Sequence, residues 1–155
     1  MSVSSRPNSQ HAVSDESLLR SDRLRRRPDF LRVQRDGTRV RTEHFTIMVL
    51  APPPGPRPSR DSLFESPGTP ARLGVTVTKR VANAVGRNRV RRVVREVFRR
   101  NRGFFPPDCV LVWVARSGAD KLDYATVRSE LVKANAALQR AAAHARPRTT
   151  SNEAR

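Results

Sequence analysis

The chain of 155 residues has a single cysteine, Cys109, which excludes an intramolecular disulfide and any zinc site built from cysteines. Cys109 lies in the apolar run CVLVWVA and is predicted to be a buried core residue. No apolar run approaches the ~20 residues of a membrane span, and the N-terminus lacks the apolar segment of a signal peptide. The sequence therefore predicts a cytoplasmic protein.

Acidic residues are also scarce, at 14, and they are scattered along the chain. Nucleases that hold two metal ions need several clustered carboxylates. The three histidines are equally dispersed, and no HExxH motif or glycine-rich phosphate loop is present. The sequence thus predicts neither a catalytic residue nor a metal site within the protein itself.

Basic residues, in contrast, are abundant. The chain has 31 of them, of which only three are lysine, and its formal net charge is +17. Such an excess favours a polyanionic partner, with nucleic acid the first candidate and an anionic membrane surface the second. GC-rich codon usage could account for the number of arginines, but it does not explain where they cluster.

The distribution of polar residues and prolines divides the chain. Residues 1–20 and 146–155 are polar, without apolar periodicity, and are predicted to be disordered tails. Residues 51–71 contain seven prolines and are predicted to be a flexible insertion between two strands. Residues 21–145 are then predicted to be one domain interrupted by this insertion.

Apolar periodicity predicts six elements inside the domain. Three are helices: one over Pro28–Asp36, a basic one over Lys79–Arg102, and a last one after the capping residue Asp123. Three are strands, over His44–Leu50, Leu73–Thr78 and Cys109–Ala115, the last apolar enough to be covered on both faces. The order αββαβα predicts an α+β or split βαβ sandwich with a small central sheet.

The basic helix is the strongest functional signal. Its apolar residues follow a helical period and form one stripe, Val90, Val93, Val94, Val97 and Phe98. Asn88, Arg91, Arg92, Arg95 and Arg99 fall on the opposite face, and Arg87 and Arg89 flank the stripe. Phosphates would relieve the repulsion within this array. Charge alone leaves RNA, DNA and a merely solvated face as alternatives, although the face lacks the residue variety of a DNA-reading helix.

The segment NAVGRNRVRRVVREVFR, preceded by RLGVTVTKRVA, resembles the signature of the bacterial ribonuclease P protein component. Upstream, DRLRRRPDFLRVQRDGTRVRTEHFTI resembles the N-terminal part of that family. The resemblance implies a ribosomal-protein-like fold with a left-handed βαβ crossover. It also implies a partnership with a catalytic RNA that removes the 5′ leader of precursor tRNA. In that family the RNA carries the chemistry, and Mg²⁺ is held mainly by the RNA and the substrate.

The resemblance also implies roles for particular residues. Those expected to bind the RNA subunit are Lys79, Arg80, Arg87, Asn88, Arg89, Arg91, Arg92, Arg95 and Arg99. Phe30 is expected in a cleft that binds the leader, with plain core packing as the alternative. Gln34 and Met48 stand where the family often has aromatic residues, so leader stacking is expected to be weaker, with Arg32 or Arg35 contributing charge instead. Neither DNA nor a membrane is expected as a partner. A structural RNA-binding protein of ribosomal type, with no processing role, is the alternative function.

Overall fold

The computed structural model describes residues 22–52, 63–64 and 70–144. Its helices are α1 (Arg27–Asp36), α2 (Ala84–Arg100) and α3 (Tyr124–His144), and its strands are β1 (Thr38–Arg41), β2 (Phe45–Leu50), β3 (Arg72–Thr76) and β4 (Val110–Ala115). The α+β class and the three helices are therefore confirmed. The predicted order αββαβα is corrected to αβββαβα by one additional strand.

The additional strand, β1, is short and mostly polar, with only Val40 buried among its four residues. A four-residue segment with one inward-facing apolar side chain carries too little alternation to be distinguished from a loop. It pairs antiparallel with β2, Val40 lying opposite Ile47. Pairing with a neighbour, rather than its own composition, makes this segment a strand.

The four strands form one sheet in the order β1-β2-β4-β3. Strand β4 is central, antiparallel to β2 and parallel to β3. Its apolar composition matches this position, because a central strand is covered on both faces. The β3–α2–β4 unit is the crossover between parallel strands, and its handedness stays a prediction.

The two faces of the sheet are covered differently. Helices α2 and α3 pack on one face over the larger apolar cluster, in which Trp113, Phe45 and Cys109 are buried. Helix α1 packs on the other face over a smaller cluster that includes Val33 and Met48. The sheet is thus a middle layer, with α2 presenting its outer side away from the core.

The proline-rich insertion is only partly described. Leu63 and Phe64 are 2% and 3% exposed and belong to the smaller cluster. These two residues of the predicted flexible insertion are therefore packed on the domain, because their apolar side chains are buried by tertiary contact. The remaining residues of the insertion, and the predicted tails 1–20 and 146–155, lie outside the described residues.

Candidate nucleic-acid interface

Helix α2 begins later than its sequence suggests. Asn83 is its N-cap, and the Oδ1 atom of Asn83 accepts a hydrogen bond from the backbone N–H of Gly86 at 2.9 Å. Lys79 and Arg80 therefore lie in the exposed turn before the helix, which corrects the predicted start at Lys79. They remain next to the N-terminal end of α2, where orphan N–H groups favour an anion.

The predicted apolar stripe is confirmed as the packed side of α2, with Val90, Val94, Val97 and Phe98 buried and Val93 partly buried. Burial of this stripe fixes the rotation of the helix about its axis. The polar side chains of the opposite side are consequently held toward solvent.

An open groove of about 580 Å³ runs along that side of α2. It is lined by Arg23, Asn88, Arg91, Arg92, Arg95, Glu96 and Arg99. The groove thus gathers five guanidinium groups around one carboxylate. All five residues that the helical period placed on this face line it.

Arg23 was not among the residues predicted to bind RNA. It precedes α1 by sequence but forms a bridge with Leu73 of β3, and the N–H of Leu24 donates to the carbonyl of Leu73 at 2.8 Å. This pairing brings Arg23 beside α2. The basic run around it was a signal, but only the sheet pairing places it in the groove.

Burial and neighbouring positive charges both act on Arg95. Burial lowers the pKa of the Arg95 guanidinium, and the nearby charges of Arg23 and Arg91 lower it further. Arginine remains charged at neutral pH, so the lowered pKa marks a cation short of compensation. A phosphate in the groove would supply that compensation.

Glu96 offsets part of the charge. Its carboxylate lies 3.0 Å from Nε of Arg99 and 2.8 Å from Nε of Arg100. These interactions lower the pKa of Glu96, with the hydrogen bond from Arg99 as the largest cause. Glu96 is thus paired with Arg99 and Arg100, one turn further along the helix.

The other predicted arginines point elsewhere. Arg87 donates to the carbonyl of Ala82 at 3.1 Å, and Arg89 donates to the carbonyl of Leu122 at 3.4 Å on the α3 side. These contacts place the two arginines outside the groove. Their role in RNA binding stays a prediction.

A second candidate surface lies at α1. Phe30 is half-buried, and its ring lies so close to β3 that a Cβ added at Gly74 would be 2.5 Å from its Cε1 atom. Gln34 is half-buried as well, but Met48 is only 7% exposed and belongs to the apolar cluster beneath α1. Met48 therefore contributes to the floor under α1 rather than to an open surface.

Arg32 lies on the other side of α1. At 100° per residue, Arg32 is about 160° around the helix from Phe30. Its guanidinium carbon lies 5.6 Å from the ring centroid of Phe64. The structure does not bring Arg32 together with Phe30, so a leader contact by Arg32 stays a prediction.

The described residues offer neither a metal-ligand cluster nor a membrane-spanning helix. Across residues 22–52, 63–64 and 70–144, no group of three or more His, Cys, Asp or Glu could hold a metal ion. Within the same residues, no helix is long and apolar enough to cross a membrane.

The arginine groove and the α1 surface lie within the part of the chain that matches known proteins. A family model described as Ribonuclease P matches residues 18–141. The chain belongs to the ribonuclease P protein family. The ribonuclease P protein component of Syntrophus aciditrophicus (strain SB) is 38% identical over 115 residues, which cover 74% of this chain and 85% of that protein. The corresponding protein of Geobacter sp. (strain M21) is 35% identical over 128 residues, covering 83% and 97%.

Solved structures agree with this assignment. The ribonuclease P protein from Thermotoga maritima is 30% identical, with a TM-score of 0.58, and the match covers 76% of this chain and 96% of that one. The Staphylococcus aureus ribonuclease P protein, at 21% identity and a TM-score of 0.59, supports the fold alone. In this chain, Leu63 and Phe64 of the insertion fall inside the matched span and pack beneath α1.

Proposed function

We propose that this chain is the protein subunit of ribonuclease P, which assists a catalytic RNA in removing the 5′ leader from precursor tRNA. The observation that carries the proposal is the groove along α2, where five arginines converge around one glutamate. Guanidinium groups bind phosphate oxygens bidentately, and such contacts position a protein on RNA without reading its sequence. The groove therefore binds the backbone of the RNA subunit.

The α1 surface serves the substrate. The half-buried ring of Phe30 offers a platform on which a leader base stacks, beside Gln34 on the next turn. The two surfaces lie on different sides of the molecule, α2 packing on one face of the sheet and α1 on the other. One protein thus contacts the RNA subunit and the leader at the same time.

The chemistry belongs to the RNA in this proposal. The donor set of the described residues does not fit Mg²⁺, since Asp22 and Glu96 are engaged with arginines and no cluster of carboxylates forms. Mg²⁺ is accordingly assigned to RNA and substrate oxygens. The protein contributes by binding and by positive charge, which favours the approach of two polyanions.

Reconstitution tests the proposal. The protein is combined with the cognate catalytic RNA and a precursor tRNA at low Mg²⁺, and cleavage at the 5′ leader is followed. Added protein is expected to speed cleavage and tighten substrate binding. If it does neither, and instead co-sediments with ribosomal particles, the ribosomal-type alternative replaces the proposal.

The groove is tested by the salt dependence of RNA binding. Arg95→Ala is expected to weaken binding and to reduce the slope of log K against log salt by about 0.7–0.9 for each lost phosphate contact. Arg140→Ala removes an exposed arginine of α3 that does not line the groove, and serves as the matched control. Equal slopes for wild type and Arg95→Ala would exclude the groove from the RNA interface.

A further inference from the structure

Leu63 and Phe64 form a contact that bridges α1 and the sheet. The carbonyl of Leu63 accepts a hydrogen bond from Nη1 of Arg72, on β3, at 3.3 Å. The ring of Phe64 faces the guanidinium of Arg32, on α1, at 5.6 Å. The pair thus links the first helix to β3 through residues from between β2 and β3.

The pair also completes the apolar cluster beneath α1. Leu63 and Phe64 are buried in the same cluster as Val33, Leu50 and Val110. Burying two large apolar side chains against α1 and the sheet removes their surface from water, which is the dominant favourable contribution to such packing.

Helix α1 depends on such contacts. It has ten residues, and its N-cap residue, Arg26, makes no side-chain capping hydrogen bond. Isolated helices of this length are marginal in water, so packing determines both the presence and the rotation of α1. Around its axis, Val33 faces the sheet, Arg32 lies toward Phe64, and Phe30 with Gln34 lies on the opposite flank.

We propose that Leu63–Phe64 acts as a strap that fixes the rotation of α1 and thereby positions Phe30 and Gln34 for the leader. Leu63 and Phe64 are positioning residues, since they act through α1 and touch no substrate. The contacts of Leu63 and Phe64 thereby tune how strongly the protein distinguishes long leaders from short ones. This inference rests on the proposed function for its leader contact.

The test compares two substrates in the reconstituted complex with the catalytic RNA. The affinity for precursor tRNA with a long leader is divided by that for precursor tRNA with a one-nucleotide leader. Phe64→Ala is expected to lower this ratio by about fivefold, the effect of one weakened base stack. Amide hydrogen exchange is expected to become faster in α1 but not in α3.

Two further variants separate positioning from general destabilisation. Phe64→Met keeps most of the apolar volume but removes the ring, so a smaller decrease of the leader-affinity ratio is expected. If Phe64→Ala does not fold, Phe64→Met is the variant that tests the strap. Val127→Ala removes buried volume from α3 on the other face of the sheet. It is expected to lower stability while leaving the leader ratio unchanged.

The outcomes distinguish the strap from the proposed function. A wild-type complex with no preference for long leaders would contradict the leader contact of the proposed function, whatever the variants do. If the wild type prefers long leaders and a folded Phe64 variant keeps both that ratio and the exchange rates of α1, the strap is overturned.

Discussion

Replacing Gly74 by alanine tests the packing contact between the Phe30 ring and strand β3. A Cβ at this position would lie 2.5 Å from Cε1 and 2.9 Å from Cζ of Phe30, and 3.1 Å from Cδ1 of Leu24. Carbon atoms pack optimally at about 3.5–4.0 Å, so the ring must move by about 1 Å. Gly74 has no positive φ angle, and its backbone would otherwise accept alanine.

The expected cost follows from overpacking. Inserting a methyl group into a packed site costs about 1–3 kcal/mol when neighbours must shift. Urea denaturation of Gly74→Ala is expected to show a loss of this size. Because the displaced group is the proposed stacking platform, the preference for long leaders is expected to fall by about fivefold as well.

A double-mutant cycle identifies Phe30 as the cause. In a Phe30→Ala background the clash is gone, so Gly74→Ala is expected to cost little, giving a coupling energy of about 1–3 kcal/mol. Gly103→Ala is the control, since a Cβ there meets nothing within 4 Å. If Gly74→Ala costs the same with and without the Phe30 ring, the inferred contact does not determine the position of Phe30.

Two other predictions concern charge. Thr126 donates hydrogen bonds to Asp123 from its N–H and its hydroxyl, and these lower the pKa of Asp123. The stabilisation of the folded state by these hydrogen bonds is therefore present at pH values above the ordinary pKa of an aspartate. It is lost as the pH falls through the lowered pKa of Asp123. Urea titrations between about pH 5 and pH 2 should show wild type losing more stability than Asp123→Asn, and parallel losses would contradict this. Glu96→Gln releases two arginines from their carboxylate partner. It should tighten RNA binding and steepen its salt dependence, whereas weaker binding would show that Glu96 orders the groove.

Much of the fold could be predicted because it follows from local periodicity. The stripe from Val90 to Phe98 indicated both the helix and its packed side, and the apolar run before Ala115 indicated the central strand. Strand β1 could not be predicted, because only Val40 among its four residues faces the core. The segment is a strand because it pairs with β2, and its own sequence carries no sign of that pairing.

The candidate site was predictable to a similar extent. Asn88, Arg91 and Arg95 share one face of α2 in sequence and in space, since a helix carries its period into three dimensions. Arg87 and Arg89 were grouped with them by the resemblance, but their hydrogen bonds lead away from the groove. Arg87 and Arg91 are four positions apart and differ by only about 40° around the helix. The hydrogen bond to the Ala82 carbonyl, which periodicity does not show, therefore sets the direction of the Arg87 side chain.

The sequence by itself determined the basic helix, its arginine face and the family to which the chain belongs. These depend on residue types at fixed spacing along one element. Only the tertiary structure decided that Arg23 joins the groove, that Met48 lies beneath α1 and that Leu63 and Phe64 are buried. Each of these outcomes depends on pairing or packing between segments far apart in the chain, where no local period carries the information.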